Sequence, residues 1–141
     1  ERNNAMFRIL VVEDDADLNN AVCTFLRKNG FDAEGCYNTA QAYSAMYDNV
    51  HDIIISDIMM PGEDGFEFAK NIRKLSTNIP ILFMTARDDI ASKQLGFSLG
   101  IDDYMVKPVN LDELVMRITA PPCKNCREQK NQHRQIEHKR R

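Results

Sequence analysis

The chain has 141 residues, a length suited to one domain of about 100–150, and at 43% hydrophobic and 28% charged its composition is that of an ordinary globular protein. No apolar run approaches the roughly 20 residues that span a bilayer and no signal peptide opens the chain, so no membrane contact is expected and a reducing cytoplasm is the expected compartment. The net charge of −3 is uneven: residues 1–120 carry 11 Lys and Arg against 19 Asp and Glu, and residues 121–141 carry 7 against 2, so the acidic body argues against direct nucleic-acid binding.

Residues 1–5 precede Met6 and read as a cloning remnant or a disordered terminus. The first strand, Phe7–Val12, runs straight into the acidic pair Glu13-Asp14. The first helix places Leu18, Ala21, Val22, Phe25 and Leu26 at helical spacing, and Asn29-Gly30 stops it. A second strand, Phe31–Cys36, is followed by a helix from Thr39, as N-cap, to about Asn49. The third strand, Asp52–Ser56, is apolar through Ile53-Ile54-Ile55 and delivers Asp57 to a Pro61-Gly62 turn. Phe68, Ala69, Ile72 and Leu75 mark the third helix. A fourth strand, Ile79–Met84, ends at Thr85.

The fourth helix, about Asp88 to Leu99, has a thin stripe of Ala91, Leu95 and Leu99 interrupted by Gly96, which suits either a merely exposed helix or a switch element. A fifth strand, Ile101–Val106, leads to Lys107-Pro108. Leu111, Leu114, Val115 and Ile118 form the last stripe, capped by Asn110, and Pro121 ends it near Ala120. Strict alternation of strand and helix, with strands apolar throughout, implies a parallel sheet covered on both faces by right-handed crossovers. Cys23 and Cys36 fall inside elements and read as small buried hydrophobes.

The chemistry gathers at the carboxyl ends of the strands, where open α/β sheets bind ligands. Glu13, Asp14 and Asp57 form an oxygen-only set suited to Mg²⁺, with Mn²⁺ as an alternate, and the lack of a nearby His or Cys argues against zinc. Any one of these acids would read as a solvated loop residue; three at two strand tips call for a cation. Taken singly, Thr85 reads as a helix cap, Lys107 as a surface lysine and Tyr104 as a half-buried strand residue. Together, a hydroxyl and an ammonium at the same rim suit the oxygens of a phosphoryl group on Asp57.

Glu13-Asp14, Asp57 with Met60-Pro61-Gly62 and Gly65 behind it, Thr85-Ala86 and Lys107-Pro108 together resemble the receiver domains of two-component response regulators over about Phe7 to Thr119. The resemblance implies a flavodoxin-like doubly wound (βα)5 fold with strand order 2-1-3-4-5 and a receiver over residues 6–120; residues 121–141 depart from the family pattern and read by composition as a basic, disordered tail or linker. It implies that Asp57 accepts a phosphoryl group from a sensor histidine kinase, and that Glu13, Asp14, Asp57 and the Met59 main-chain carbonyl hold the cation. It makes Lys107 the phosphate-binding lysine, Thr85 and Tyr104 the switch pair, and Pro108 the residue after a cis peptide. The protein would then be a phosphoacceptor that catalyses only its own phosphorylation and dephosphorylation.

Met-Thr-Ala-Arg-Asp-Asp at 84–89, Asp102-Asp103-Tyr104 and Lys107-Pro108-Val109 are similar to receivers of the OmpR/PhoB-type winged-helix transcription regulators. That likeness implies a homodimer on phosphorylation through the fourth helix, fifth strand and fifth helix, with Lys93, Asp102, Asp103, Glu113 and Arg117 as its charged contacts. Contact with DNA would come only through an effector domain absent from this chain. The tail adds Cys123, Cys126, His133 and His138, but the six residues between the two pairs are too few for a finger fold, and a solvated tail is the expected reading. Two alternatives share parts of the site. A degenerate receiver would serve as a docking scaffold. A haloacid-dehalogenase-like phosphatase would place its nucleophile just after the first strand and carry a cap insertion, and this chain has neither feature.

Overall fold

The computed structural model describes residues 7–75 and 78–119; residues 1–5 and the tail, with Cys123, Cys126, His133 and His138, lie outside the described residues. Five strands alternate with five helices: β1 (Arg8–Val12), α1 (Ala16–Lys28), β2 (Asp32–Cys36), α2 (Thr39–Asp48), β3 (Ile53–Ser56), α3 (Gly65–Leu75), β4 (Ile81–Thr85), α4 (Ile90–Ser98), β5 (Asp103–Val106) and α5 (Leu111–Thr119). All neighbouring strands are parallel and the order is β2-β1-β3-β4-β5, the doubly wound, flavodoxin-like arrangement expected. The chain divides after Val109 into two compact units, and α5 is the described part of the second.

Every residue of β3 and β4 is buried, as a strand covered on both faces must be. Side chains alternate along each strand. Leu10, Val12, Ile54, Ile81 and Phe83 join one core cluster with Ala42, Ala45, Phe68, Ala69 and Ile72. Their alternates Ile9, Val11, Ile53, Ile55, Leu82 and Met84 are also buried.

Several boundaries differ from the sequence expectation, each for a local reason. Asn38, not Thr39, caps α2, its side chain accepting from the Gln41 N–H at 2.8 Å. Phe31 is drawn into the end of α1, its N–H donating to the Leu26 carbonyl at 3.1 Å, so β2 begins one residue later. The buried stripe of α1 is Asn19, Val22, Cys23 and Leu26, rotated from the expected face, and it includes a polar residue. On α4 the inward residues are Ser92 and Gly96, while Leu95 is exposed. Gly96 is therefore the contact point of the helix and not an interruption. A Cβ there would lie 2.8 Å from Ile101 Cδ1 and 3.2 Å from the Phe83 ring.

Phe83 is fully buried and meets the rings of Phe66 and Tyr104 edge-on at 5.8 and 6.2 Å. Phe83→Ala is expected to lower the unfolding free energy by about 3–5 kcal/mol in urea denaturation. A loss below about 1 kcal/mol would show that the core there collapses around the gap.

Candidate functional site: an acidic crevice at the strand tips

The chain steps from β1 to one neighbour, β2, and then returns to the other, β3, so the crevice of the sheet opens between β1 and β3. Glu13 and Asp14 follow β1 and Asp57 follows β3. One carboxylate oxygen from each lies within 4.8 Å of the others. Glu13 and Asp57 are buried and Asp14 is exposed. Lys107, arriving from β5, donates to Glu13 Oε1 at 2.6 Å and to Asp57 Oδ2 at 2.7 Å. The second Asp57 oxygen, Oδ1, accepts the Met59 N–H at 3.1 Å, and the second Glu13 oxygen accepts the Asp15 N–H at 3.1 Å.

Local sequence explains why these groups converge. The Asp57 N–H donates to the Val12 carbonyl at 3.0 Å, which registers the two acid-bearing tips. Asn19 in α1 donates from one amide to the Glu13 and Cys36 carbonyls at 3.0 and 2.8 Å, tying the turn after β1 to the end of β2. Behind Asp57, the N–H of Gly65 reaches the Ile58 carbonyl at 2.7 Å. A Cβ at Gly65 would overlap the Asp57 carbonyl oxygen and lie 2.6 Å from Ile58 Cα, so only glycine allows α3 to start this close to the acid. Lys107 is held to the β4 tip by its own N–H, 2.8 Å from the Thr85 carbonyl. The peptide between Lys107 and Pro108 is cis.

The charges are unevenly matched. Burial pushes the Glu13 carboxyl up, more than the hydrogen bond from Lys107 pulls it down. Burial alone would lower the Lys107 ammonium; hydrogen bonds and charge from Asp57 and Glu13 together outweigh it and raise the group above its ordinary value. One ammonium thus serves two buried carboxylates, with a third carboxylate beside them.

Thr85 is fully buried at the β4 tip, its hydroxyl oxygen 3.4 Å from the Arg87 N–H. Tyr104 is 9% exposed, more buried than a half-buried strand residue, and its hydroxyl donates to the Arg87 carbonyl at 2.6 Å. The Lys93 ammonium lies 5.8 Å from the centre of the Tyr104 ring and pairs with Asp88 at 3.2 Å. Asp102 is turned inward, accepting the Ile81 N–H at 2.9 Å and pairing with Arg73 of α3 at 3.2 Å. Within α5, Arg117 pairs with Glu113 at 2.9 Å. The motifs passed over Asn19, although an Asn pair between the apolar positions Leu18 and Ala21 of α1 was the available signal.

Residues 9–119 match the family model described as the response regulator receiver domain. The chain belongs to this family. The receiver is 39% identical, over 115 residues, to the transcriptional regulatory protein CiaR of Streptococcus pneumoniae, an alignment covering 82% of this chain and 51% of the relative. The chain therefore spans about half the length of that relative. This likeness to a transcriptional regulatory protein agrees with the OmpR/PhoB-type resemblance of the sequence. Among solved structures, the chemotaxis protein CheY4 of Vibrio cholerae superposes with a TM-score of 0.78 at 32% identity, covering 81% of this chain and 97% of that one. A two-component response regulator from Clostridium difficile gives 0.79 at 30% identity, covering 82% and 94%.

Lys107→Met is expected to leave Glu13 and Asp57 buried without their ammonium. The loss at pH 7 should be about 3–5 kcal/mol in chemical denaturation without divalent cations. An acid whose folded pKa is raised binds protons more readily in the native state, so stability falls as pH rises past the ordinary value of 4.5. The deficit of the variant should accordingly shrink as pH falls toward that value. A loss independent of pH would mean that Lys107 acts through packing alone.

Proposed function

We infer that Asp57 accepts a phosphoryl group from the phosphohistidine of a sensor histidine kinase, and that Mg²⁺ assists. The observation that carries this reading is the convergence of Glu13, Asp14, Asp57 and Lys107 at one crevice, although 94 residues separate Glu13 from Lys107.

The residues present fit such a cation. All donors are oxygens, two of the three acids are buried, and three carboxylates meet there with Lys107 as the ammonium bonded to two of them. Glu13, Asp14, Asp57 and the main-chain carbonyl of Met59 would hold it. When bound, the cation neutralises charge on the phosphoryl oxygens. In the transfer itself, a carboxylate oxygen of Asp57 attacks phosphorus and the bond from phosphorus to the imidazole nitrogen breaks. That nitrogen keeps the electron pair and takes up a proton. Little further chemistry is asked of the protein, because phosphoryl transfer depends mainly on positioning and charge. Lys107 is placed to pair with oxygens of the arriving group, which brings about two negative charges. The buried Thr85 hydroxyl and the inward Tyr104 supply the switch, acting through the loop at Ala86–Asp89 on α4.

The output reading is homodimerisation followed by control of transcription, supported by the likeness to CiaR and by the motifs at 84–89 and 102–109. The Asp102 side chain is only 15% exposed beside Arg73, whereas those of Lys93, Glu113 and Arg117 are 39%, 49% and 35% exposed and are the more accessible candidates for cross-subunit contacts.

Incubation with Mg²⁺ and acetyl phosphate is expected to give a labile phosphoryl adduct by intact mass spectrometry, lost in Asp57→Asn and on removal of Mg²⁺ with EDTA. The adduct should sediment as a dimer; a monomer would remove the dimerisation part of the reading. No adduct would favour a docking scaffold, and turnover of external phosphoesters would favour a phosphatase.

Met59 is 58% exposed and, with Arg87 and Asp64, lines a cleft of about 370 Å³ beside Asp57. It is positioned to screen attacking water from the acyl phosphate. Met59→Asn and Met59→Lys are expected to change the adduct lifetime severalfold. An unchanged dephosphorylation rate in both would end that idea.

A further inference from the structure

The loop between β3 and α3 carries Asp57 and Met59, two parts of the proposed cation site. Its base is closed by the Gly65 N–H on the Ile58 carbonyl. Its middle is pinned by the buried Met60 side chain and its end by Asp64, which accepts the Glu67 N–H at 2.9 Å; between them Glu63 reaches away from the loop to two helices. The Glu63 carboxylate accepts the Tyr43 hydroxyl, with its two oxygens at 3.0 and 3.2 Å, and the Asn71 side-chain amide at 2.6 Å. Tyr43 belongs to α2 and Asn71 to α3, so one carboxylate ties the loop to two helices.

The tie is made of fixed parts. The Tyr43 ring meets Phe68 edge-on, with centroids 5.4 Å apart, and Phe68 is fully buried. Burial pushes the Tyr43 phenol up to about 12, so its hydroxyl stays a donor at neutral pH. Acids on a protein surface ordinarily face water and hold no fixed geometry. Glu63 is only partly exposed, and its recorded partners are two neutral side-chain donors.

We propose that Glu63 is a positioning residue for the cation site, holding the stretch of loop that carries the Met59 carbonyl in register before the cation arrives. It touches neither the cation nor the phosphoryl group. With the tie in place, the loop is ordered when the protein folds. Without it, part of the ordering of the loop falls to the cation, and the apparent affinity drops by the fraction of molecules whose loop is competent. A variant whose loop is competent about one-tenth of the time binds about tenfold more weakly. Saturating cation repairs the defect. The bland alternative is that Glu63 merely glues α2 to α3, which would lower the melting temperature and leave cation binding alone.

This inference rests on the phosphoacceptor reading, and the experiment separates the two. Mn²⁺ alone is titrated into the full chain and followed by electron paramagnetic resonance for wild type, Glu63→Ala, Glu63→Gln and Tyr43→Phe. The Mg²⁺ concentration giving half-maximal acetyl phosphate labelling is measured in parallel. In Glu63→Ala, the Mn²⁺ dissociation constant and the half-maximal Mg²⁺ concentration are both expected to rise about 3–10-fold, with the wild-type labelling rate regained at saturating Mg²⁺. Tyr43→Phe keeps the ring on Phe68 and should show a smaller rise in the same direction, and it decides the question if Glu63→Ala does not fold. Glu63→Gln keeps one neutral acceptor oxygen in place of two charged ones and should fall between wild type and Glu63→Ala. Unchanged Mn²⁺ affinity in the folded variants, or a rate deficit that saturating Mg²⁺ does not repair, would overturn the proposal. A wild type that binds no Mn²⁺ and takes up no phosphoryl group would instead overturn the phosphoacceptor reading.

Discussion

One ammonium shared between two buried carboxylates is the constraint on which this receiver is built. Glu13 and Asp57 lie close together at adjacent strand tips, and two ionised carboxylates in such a place repel unless a cation joins them. Lys107 supplies that cation from a third strand, anchored to β4 through its own backbone. No local stretch of chain could build this contact. It exists because a doubly wound sheet brings the ends of β1, β3, β4 and β5 to one edge. The match is still incomplete, since Asp14 adds a third acid, and that residual negative charge is what suits the crevice to a divalent cation. On the proposed reading the same lysine then meets the phosphoryl oxygens, so charge neutralisation in the resting site and stabilisation of the product use one group.

Two loops at this rim are held very differently. The turn after β1 and the start of α3 are fixed by backbone contacts and by buried residues with no room to move: Asn19 on two carbonyls, Gly65 against the Asp57 backbone. The loop between β4 and α4 has less. Its ion pairs, Arg87 with Asp89 and Lys93 with Asp88, join side chains between 39% and 74% exposed, a class worth about 0–1 kcal/mol each. The acids are thus held firmly while the neighbouring segment is held lightly, which is the division a switch needs.

Much of the fold was legible because parallel strands buried on both faces read as unbroken apolar runs, as Ile53-Ile54-Ile55 does. The acidic cluster was legible for a related reason: a charged residue directly after such a run has to sit at a strand tip. What escaped the sequence depends on tertiary approach. The inward face of α4 consists of Ser92 and Gly96, residues that periodicity arguments discard, because the helix packs by closeness instead of by large side chains. Asn19 escaped because a polar residue in a buried stripe looks like an error until the two carbonyls it serves are in place. Tyr43, Glu63 and Asn71 share no motif or spacing, and only the convergence of α2, α3 and the loop makes them one unit. For Asp102 the sequence offered a place among the charged dimer contacts, and nothing in it announced the approach to Arg73 and the Ile81 amide that the fold creates.

Magnitudes single out which contact restrains the light side of the site. With its ion pairs worth little, the loop from Ala86 to Asp89 is held at Arg87 by the Tyr104 hydroxyl on its carbonyl at 2.6 Å, a part-buried bond, while Asp89 at its end caps α4 by accepting the Ser92 N–H and hydroxyl at 2.9 and 2.8 Å. A hydrogen bond such as that of Tyr104 contributes about 0.5–1.5 kcal/mol net. The Tyr104 ring is in turn clasped between Phe83 and the Lys93 ammonium. Displacing the tyrosine therefore disturbs the β4–α4 loop, the packing of Phe83 beneath Gly96 and the Lys93 ion pair at once. On the proposed reading, a few such contacts, sharing atoms and so able to change together, form the barrier that a phosphoryl group at the strand tips would have to overcome.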